Sequence, residues 1–292
     1  MMVKITLLFG ICTSLWLAAQ DVPSERGLLT RRYQEGETLK YRMKATNDNW
    51  RYEIQATGVV KKNSAGKYIE EYAWSGMVSD GSAITLSPAT AQFREVLSLD
   101  PVTPPSIPNL STVDTKLIGP ITDLLTFYAD LWLAARVGVL AHTGDHFYQK
   151  MGIPSSWADG NYVLAGEDAV DFDMQLEDVD QTAKVATLLV RHVPPAQPKV
   201  KLPAAWMKEA PDSAAINWVQ VSRKDDKFLA AMGTETFDVR MKINLANGEI
   251  SSGVIENLVK AQERDCRDRE LTICSDPRPI RNMRHIEIAL ER

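Results

Sequence analysis

The feature that most constrains the fold of this chain is a strict alternation of apolar and polar residues over positions 236–245. The apolar positions are Phe237, Val239, Met241, Ile243 and Leu245. Successive side chains of a β-strand point to opposite faces, so a period of two over this length predicts a half-buried strand. The dipeptide Asn247-Gly248 is typical of a two-residue type I′ turn, and we expect the return strand over residues 250–259. This part of the chain is therefore predicted to form a β-hairpin.

Strand-like segments recur along the rest of the chain. Further strands are predicted at residues 39–45, 50–56, 68–78, 170–176, 184–193 and 285–290. Most of the connections between them are short, which favours antiparallel neighbours. We therefore predict a mainly β fold: a curved antiparallel sheet, shaped as a half-barrel or open barrel, with one long apolar helix, α+β overall.

The long helix is predicted from Pro120, which suits a first turn, to about Leu140, with Gly138 or Gly144 near its end. Apolar residues cover most of its circumference. One narrow polar stripe interrupts them, made of Asp123, Thr126 and Asp130. A helix of this kind must be largely buried or lie against something apolar. Its two carboxylates argue against a membrane span, because each is unfavourable at the centre of a bilayer.

The apolar surface of this helix is the first candidate for a binding site. The candidate apolar ligand face consists of Leu124, Phe127, Tyr128, Leu131 and Trp132. The alternative is that these side chains are ordinary core. Sequence alone leaves both interpretations open.

The first residues have the pattern of a cleavable signal peptide. Lys4 gives a positive start, and the apolar run over residues 5–19 is shorter than the roughly 20 residues that span a bilayer. The small residues Ala18 and Ala19 precede a polar stretch. We therefore predict a signal peptide over residues 1–20 and an extracytoplasmic protein, periplasmic or secreted, with no transmembrane span after cleavage.

Residues 21–292 are predicted to form a single β-rich domain. Proline-rich stretches near 101–108 and 194–211 cannot donate regularly to a strand ladder, so we interpret them as long loops. The alternative, that they separate domains, stays open. The chain carries 33 Lys and Arg against 38 Asp and Glu, without a basic cluster interleaved with aromatic residues. This mildly acidic balance argues against nucleic acid as a partner.

The cysteines predict one disulfide. Cys12 lies inside the predicted signal peptide, which leaves Cys266 and Cys274 as a close pair. In an oxidising compartment such a pair is most simply a disulfide. Their spacing is not Cys-x-x-Cys, so a structural role is favoured over a redox-active one.

Few residues suggest catalysis or metal binding. The sequence from His142 to His146 contains two imidazoles and Asp145, but Gly144 favours a helix end and a turn over a metal site. Acids over 167–173 and 177–180 alternate with apolar residues and indicate a solvated strand face rather than a calcium loop.

Three arginines near the end of the chain are expected to point to solvent before the last strand; they are Arg278, Arg281 and Arg284. No nucleophile elbow, phosphate loop or dinucleotide-binding glycine pattern is present. We therefore predict no catalytic residue, no metal and no cofactor from the sequence.

The start of the first predicted strand, Gly36-Glu37-Thr38-Leu39-Lys40-Tyr41, resembles that of several uncharacterised exported β-sheet proteins of bacteria. The overall plan also resembles the half-barrel periplasmic carriers of lipids and lipoproteins. That resemblance implies a non-enzymatic binding or carrier protein for an apolar ligand, such as a lipid, or for an envelope partner. The alternatives are an extracytoplasmic hydrolase, with His142, Asp145 and His146 as its first candidate residues, and a structural surface module.

Overall fold

The structure of the protein, a computed structural model, describes residues 27–48, 50–154, 169–193, 204–209, 216–224 and 226–291. The predicted signal peptide, the two acids at 167–168 and most of the second proline-rich stretch lie outside these residues. The first proline-rich stretch, 101–108, is an irregular connection without strand or helix.

Twelve strands are present in the described part of the chain. They are β1 (Thr38–Asn47), β2 (Trp50–Lys62), β3 (Tyr68–Ser79), β4 (Ser82–Ala83), β5 (Glu95–Leu97), β6 (His146–Pro154), β7 (Ala169–Asp180), β8 (Val185–Val193), β9 (Trp218–Lys224), β10 (Lys227–Asn244), β11 (Ile250–Cys266) and β12 (Arg278–Leu290). The helices are α1 (Pro88–Gln92), α2 (Thr115–Val137) and α3 (Ala205–Lys208).

All twelve strands belong to one curved, unclosed antiparallel sheet, which confirms the predicted fold class. Its order is β4-β3-β2-β1-β12-β11-β10-β8-β7-β6, with β5 beside β3 and β9 beside β10. The strands β8 and β9 pair with different parts of the same side of β10. Between them, the Asn217 carboxamide accepts from the Glu235 backbone N–H at 2.6 Å and donates to its carbonyl at 3.0 Å. This side chain continues the ladder across the gap.

The predicted hairpin is present as β10 and β11, but its turn differs from the prediction. The two strands are joined by residues 245–249, and only Gly248 has a positive φ, +73°. The type I′ expectation was therefore wrong, since that turn needs two positive φ values. A segment at 30–32 packs here: a Cβ on Gly248 would lie 2.4 Å from the Thr30 carbonyl oxygen, and the Asn247 carbonyl accepts from Arg32. This packing requires a longer turn with a glycine.

The long helix α2 begins at Thr115 rather than Pro120, so Pro120 lies inside it. Leu117 is fully buried in the added turn. The free energy gained by this burial offsets the loss of the backbone hydrogen bond that proline cannot donate. The helix ends before Gly138, which adopts the left-handed conformation typical of a helix C-terminus.

The main core lies between α2 and the face of the sheet that it covers, which we call the inner face. Phe127 is fully buried and lies over Gly253 of β11, where a Cβ would come within 2.5 Å of the ring. Tyr72 covers Gly58 in the same way on neighbouring strands β2 and β3. Glycine on the sheet thus creates the space into which large aromatic rings pack.

Beyond α2 the sheet continues as a four-stranded ribbon, made of β9 and residues 227–234 of β10, 258–266 of β11 and 278–283 of β12. A second, smaller core covers the outer face of the ribbon. Its members are Ala204, Met207, Ile216, Val219, Val221, Ala230, Met232, Cys266 and Leu271. The predicted disulfide is confirmed: Cys266 and Cys274 are bonded, with their Cα atoms 4.0 Å apart. It closes the loop that follows β11 onto this second core.

The last strand begins at Arg278 rather than His285. The arginines at 278, 281 and 284 therefore lie within β12, and the expectation that they precede the strand was wrong. Pro279 is tolerated because this part of β12 pairs only with β11 and is an edge.

Candidate functional site

The polar stripe of α2 is buried rather than solvated. Asp123 is 5% exposed and accepts hydrogen bonds from Tyr52 Oη and Arg284 Nη2, both at 2.8 Å. Burial raises the pKa of Asp123, while Arg284 and Tyr52 act in the opposite direction. The ion pair therefore attaches the first half of α2 to β2 and β12.

Asp130 forms the second attachment, one heptad further along α2. Both of its carboxylate oxygens lie within 3.0 Å of His192 Nε2 on β8. The imidazole stacks on Phe237, with ring centroids 4.5 Å apart, and meets the edge of Phe172 at 4.7 Å. These rings fix the orientation of His192 toward the helix.

The partners of α2 belong to one row across the inner face. In the strand register Arg284 pairs with Asn257, Asn257 with Phe237, and Phe237 with His192. Beside this row Glu235 accepts a hydrogen bond from Asn257 Nδ2 at 2.8 Å, and burial raises the pKa of Glu235. The row marks the boundary between the covered main core and the ribbon.

The candidate apolar ligand face is part of the protein's own core. Leu124, Phe127, Tyr128, Leu131 and Trp132 are each at most 5% exposed. Tyr128 Oη lies 2.6 Å from Tyr72 Oη and donates to the buried carboxylate of Glu70. Trp132 Nε1 donates to the Asp100 carbonyl at 2.7 Å. The sheet and its loops fill the space around this face.

The residues first considered for a hydrolase do not form a catalytic cluster. Asp145 Oδ2 accepts from the backbone N–H groups of Ala141 and His142 at 2.7 Å, which lowers the pKa of Asp145 and closes the turn. The His142 side chain is 86% exposed, and His146 contacts Asp173 on β7 instead. The segment is therefore a turn, as expected, but the helix itself ends earlier, at Gly138 rather than at Gly144.

No group of three or more His, Cys, Asp or Glu suited to a metal ion occurs among the described residues. Of the three arginines, Arg278 pairs with Glu263 and Asp265, while Arg284 pairs with Asp123. They therefore do not share one anionic ligand.

The ribbon differs from the main half because α2 does not reach its inner face. A shallow cleft of about 60 Å³ lies there. Its lining comes from all four strands of the ribbon, namely Trp218, Gln220, Ser222, Leu229, Ala231, Glu263, Ile280 and Asn282. Ala231 forms the buried floor, whereas the Trp218, Leu229 and Ile280 side chains are half-buried. We call this surface the ribbon cleft.

The ribbon cleft combines apolar surface with uncommitted polar groups. Within the described part of the chain, the side chains of Gln220, Ser222 and Asn282 have no hydrogen-bond partner. Glu263 is neutralised by Arg278, at 2.7 Å. A few polar groups beside apolar and aromatic surface are characteristic of ligand sites. The ribbon cleft is therefore the candidate functional site.

Sequence reasoning did not identify this site. Alternation within residues 218–222 places Trp218, Gln220 and Ser222 on one face, and this signal was available. The partners Leu229 and Ile280 come from distant strands, and only the register brings them together.

The helix α2 is the one described helix long and apolar enough to cross a membrane, and 78% of its most apolar window is buried in the fold, as in a core helix. Disulfides are typical of oxidising, extracytoplasmic compartments, and the bond from Cys266 to Cys274 agrees with such a location. Comparison of the chain with protein-family models, curated proteins and solved structures gives no match in any of the three.

Proposed function

We propose that this is a non-enzymatic extracytoplasmic binding protein and that its ligand lies in the ribbon cleft. The observation that carries the proposal is the inner face of the ribbon, which no described residue covers and where half-buried apolar side chains adjoin amide and hydroxyl groups that have no hydrogen-bond partner in the described part of the chain. The predicted signal peptide and the disulfide support the location outside the cytosol.

The ribbon cleft is a better candidate than the apolar face of α2. For a ligand to bind the apolar face of α2, the helix would have to move away from the sheet. This movement would expose Phe127 and Leu131, both fully buried, and separate Asp130 from His192. This would leave the buried Asp130 carboxylate without its hydrogen-bond partner, which is destabilising. A ligand in the ribbon cleft requires neither change.

The lining also indicates the general character of the ligand. Trp218, Leu229 and Ile280 offer an apolar surface, while Gln220 and Asn282 each offer a donor and an acceptor. We propose a ligand with one apolar face and a hydrogen-bonding rim. An apolar small molecule, a lipid, an envelope protein that presents such a face and a carbohydrate are the ligand classes to be distinguished.

The test uses the neutral apolar dye N-phenyl-1-naphthylamine and two matched variants of the mature protein. Ile280→Ser alters the ribbon cleft, whereas Ile273→Ser alters an isoleucine that is 60% exposed and does not line it. We expect saturable dye fluorescence with the wild type and Ile273→Ser, and a dye affinity about tenfold weaker with Ile280→Ser, as loss of about 1.4 kcal/mol of apolar contact predicts.

Organic extraction followed by mass spectrometry examines the bound ligand directly. A compound recovered from the wild type and Ile273→Ser, but depleted in Ile280→Ser, supports the proposal. Saturable dye binding unaffected by Ile280→Ser would place the ligand elsewhere, and absence of both saturable dye binding and any extracted compound would contradict the apolar and lipid ligand classes.

A further inference from the structure

We propose that the ribbon cleft binds a neutral carbohydrate. The inference rests on the proposed function and specifies its ligand. A sugar ring has an apolar face of C–H groups and a rim of hydroxyls that both donate and accept hydrogen bonds. The ribbon cleft offers complementary groups on both counts.

The aromatic contribution comes from Trp218. It lies on β9 opposite Gly233, which has no side chain to cover the indole from the neighbouring strand. Gly233 is required there because a Cβ would lie 2.0 Å from the Lys260 carbonyl oxygen. The close approach of β10 to β11 thus leaves Trp218 half-buried, and its ring and the nearby Ile280 and Leu229 form an apolar platform.

The polar contribution comes from side chains that the described protein leaves unpaired. Gln220 and Ser222 follow Trp218 at two-residue intervals on β9, so all three share one face. Asn282 faces them from β12. Amides and hydroxyls both donate and accept, as sugar hydroxyls do, whereas a purely apolar ligand would leave these groups unsatisfied.

The charge of the ribbon cleft disfavours an anionic ligand. Glu263 is its one ionisable lining residue, and the Arg278 guanidinium beside it binds both Glu263, at 2.9 Å from Nε, and Asp265, at 2.7 Å from Nη1. The lining therefore presents no uncompensated positive charge to an anionic ligand, and Glu263 is held in an ion pair rather than free to bind a cation.

The shape is consistent with a ring lying on a surface. At about 60 Å³ the ribbon cleft is far smaller than the pockets of roughly 300 Å³ or more that enclose a ligand. A ligand must therefore lie along the strands and remain partly solvated. A neutral oligosaccharide tolerates this arrangement because its outer hydroxyls keep their hydration.

Titration calorimetry of the mature protein with cellohexaose, chitohexaose and maltohexaose tests the inference. The matched variants are Gln220→Ala in the ribbon cleft and Gln262→Ala, an exposed glutamine on the outer face of the same ribbon. We expect binding of at least one hexasaccharide with a Kd below about 1 mM, weakened about fivefold by Gln220→Ala and unchanged by Gln262→Ala. Trp218→Ala should abolish it, and unchanged urea midpoints confirm that the variants fold.

The outcomes separate this inference from the proposed function. Dye binding that depends on Ile280, without binding of any hexasaccharide, would overturn the carbohydrate class and leave the binding function standing. Loss of both signals would overturn both. Hexasaccharide binding that Gln220→Ala and Trp218→Ala leave unchanged would show that the ribbon cleft is the wrong site.

Discussion

The main half of the sheet and the ribbon share three strands, yet they are covered on opposite faces. In the main half α2 covers the inner face, and the odd-numbered residues of β10, such as Val239 and Met241, are buried. In the ribbon the second core covers the outer face and includes the even-numbered Ala230 and Met232, while Ala231 of the inner face is also buried. One strand thus contributes opposite faces to the two cores.

The difference shows that alternation alone does not determine which face a strand buries. Successive side chains alternate between the two faces along β10, but Ala230, Ala231 and Met232 are buried in a row, so the structure that packs on the strand selects the buried set. Among the described residues nothing covers the inner face of the ribbon, and this is where the ribbon cleft lies. The candidate site therefore lies beside the covering helix, beyond the row of residues that α2 contacts.

The largest expected effect concerns packing under α2. Phe127→Ala removes a fully buried ring over Gly253 and should lower the free energy of unfolding by about 3–5 kcal/mol. The matched change in the ribbon cleft, Leu229→Ala, affects a half-buried side chain and should lower it by about 1 kcal/mol. Urea denaturation measures both. Equal losses would contradict the distinction between covered and uncovered faces.

The next effect concerns the second core. Replacing Cys266 and Cys274 together with serine should destabilise the ribbon by about 2–3 kcal/mol, because the bond restricts a short loop in the unfolded chain. Trp206 Nε1 donates to the Leu271 carbonyl inside that loop, so hydrogen exchange there reports the loss. Amides of α2 should keep their protection. Equal loss of protection in α2 would show that the two halves unfold together.

A smaller, pH-dependent effect on the free energy of unfolding is expected from Glu95 of β5, which is fully buried. Within the described residues its carboxyl oxygens have no hydrogen-bond partner, and burial raises the pKa of Glu95 well above its ordinary value. The folded state therefore retains a proton that the unfolded chain releases from about pH 4.3 upward. The resulting stability is present below the unfolded pKa and is lost as pH rises through the folded pKa.

Glu95→Gln and Glu95→Met should both flatten the dependence of unfolding free energy on pH between pH 5 and pH 8, by a slope of up to about 1.4 kcal/mol per pH unit. Thermal and urea unfolding across this range provide the measurement. A wild-type slope that both variants retain would assign the pH dependence to other groups.

The smallest effect is expected in the ribbon cleft itself. Gln220→Ala should change the free energy of unfolding by no more than about 0.5 kcal/mol, because the Gln220 side chain makes no hydrogen bond within the described protein. Urea denaturation of the unliganded variant measures this. A loss above about 1 kcal/mol would indicate that Gln220 has a structural role.

Local sequence patterns predicted the elements better than their partners. Period-two alternation located the two strands of the predicted hairpin, and the cysteine spacing located the disulfide. The side-chain partners of Asp123 and Asp130 were not predictable in this way. Arg284 and His192 lie far from these aspartates in sequence and contact them only in the folded sheet. The sequence indicated only a narrow polar stripe, because it does not show which charges will be paired.

The ribbon cleft was missed for a related reason. The last strand was predicted to begin at His285, so Ile280 and Asn282 were not assigned to a strand. The strand order shows that this part of β12 is an edge paired with β11, where Pro279 is tolerated. The contribution of β12 to the site thus depends on a property of the assembled sheet.

The pairing of β1 with β12 has a consequence for how the sheet assembles. The first and last described strands are neighbours inside the sheet order, with Tyr41 opposite Leu290. Meanwhile α2 precedes most of the strands that it covers. During synthesis the apolar surface of α2 is therefore completed before residues more than a hundred positions later that help to cover it, and contacts of such separation form slowly. The nascent chain has to be kept from aggregating until β12 joins the two sides of the sheet.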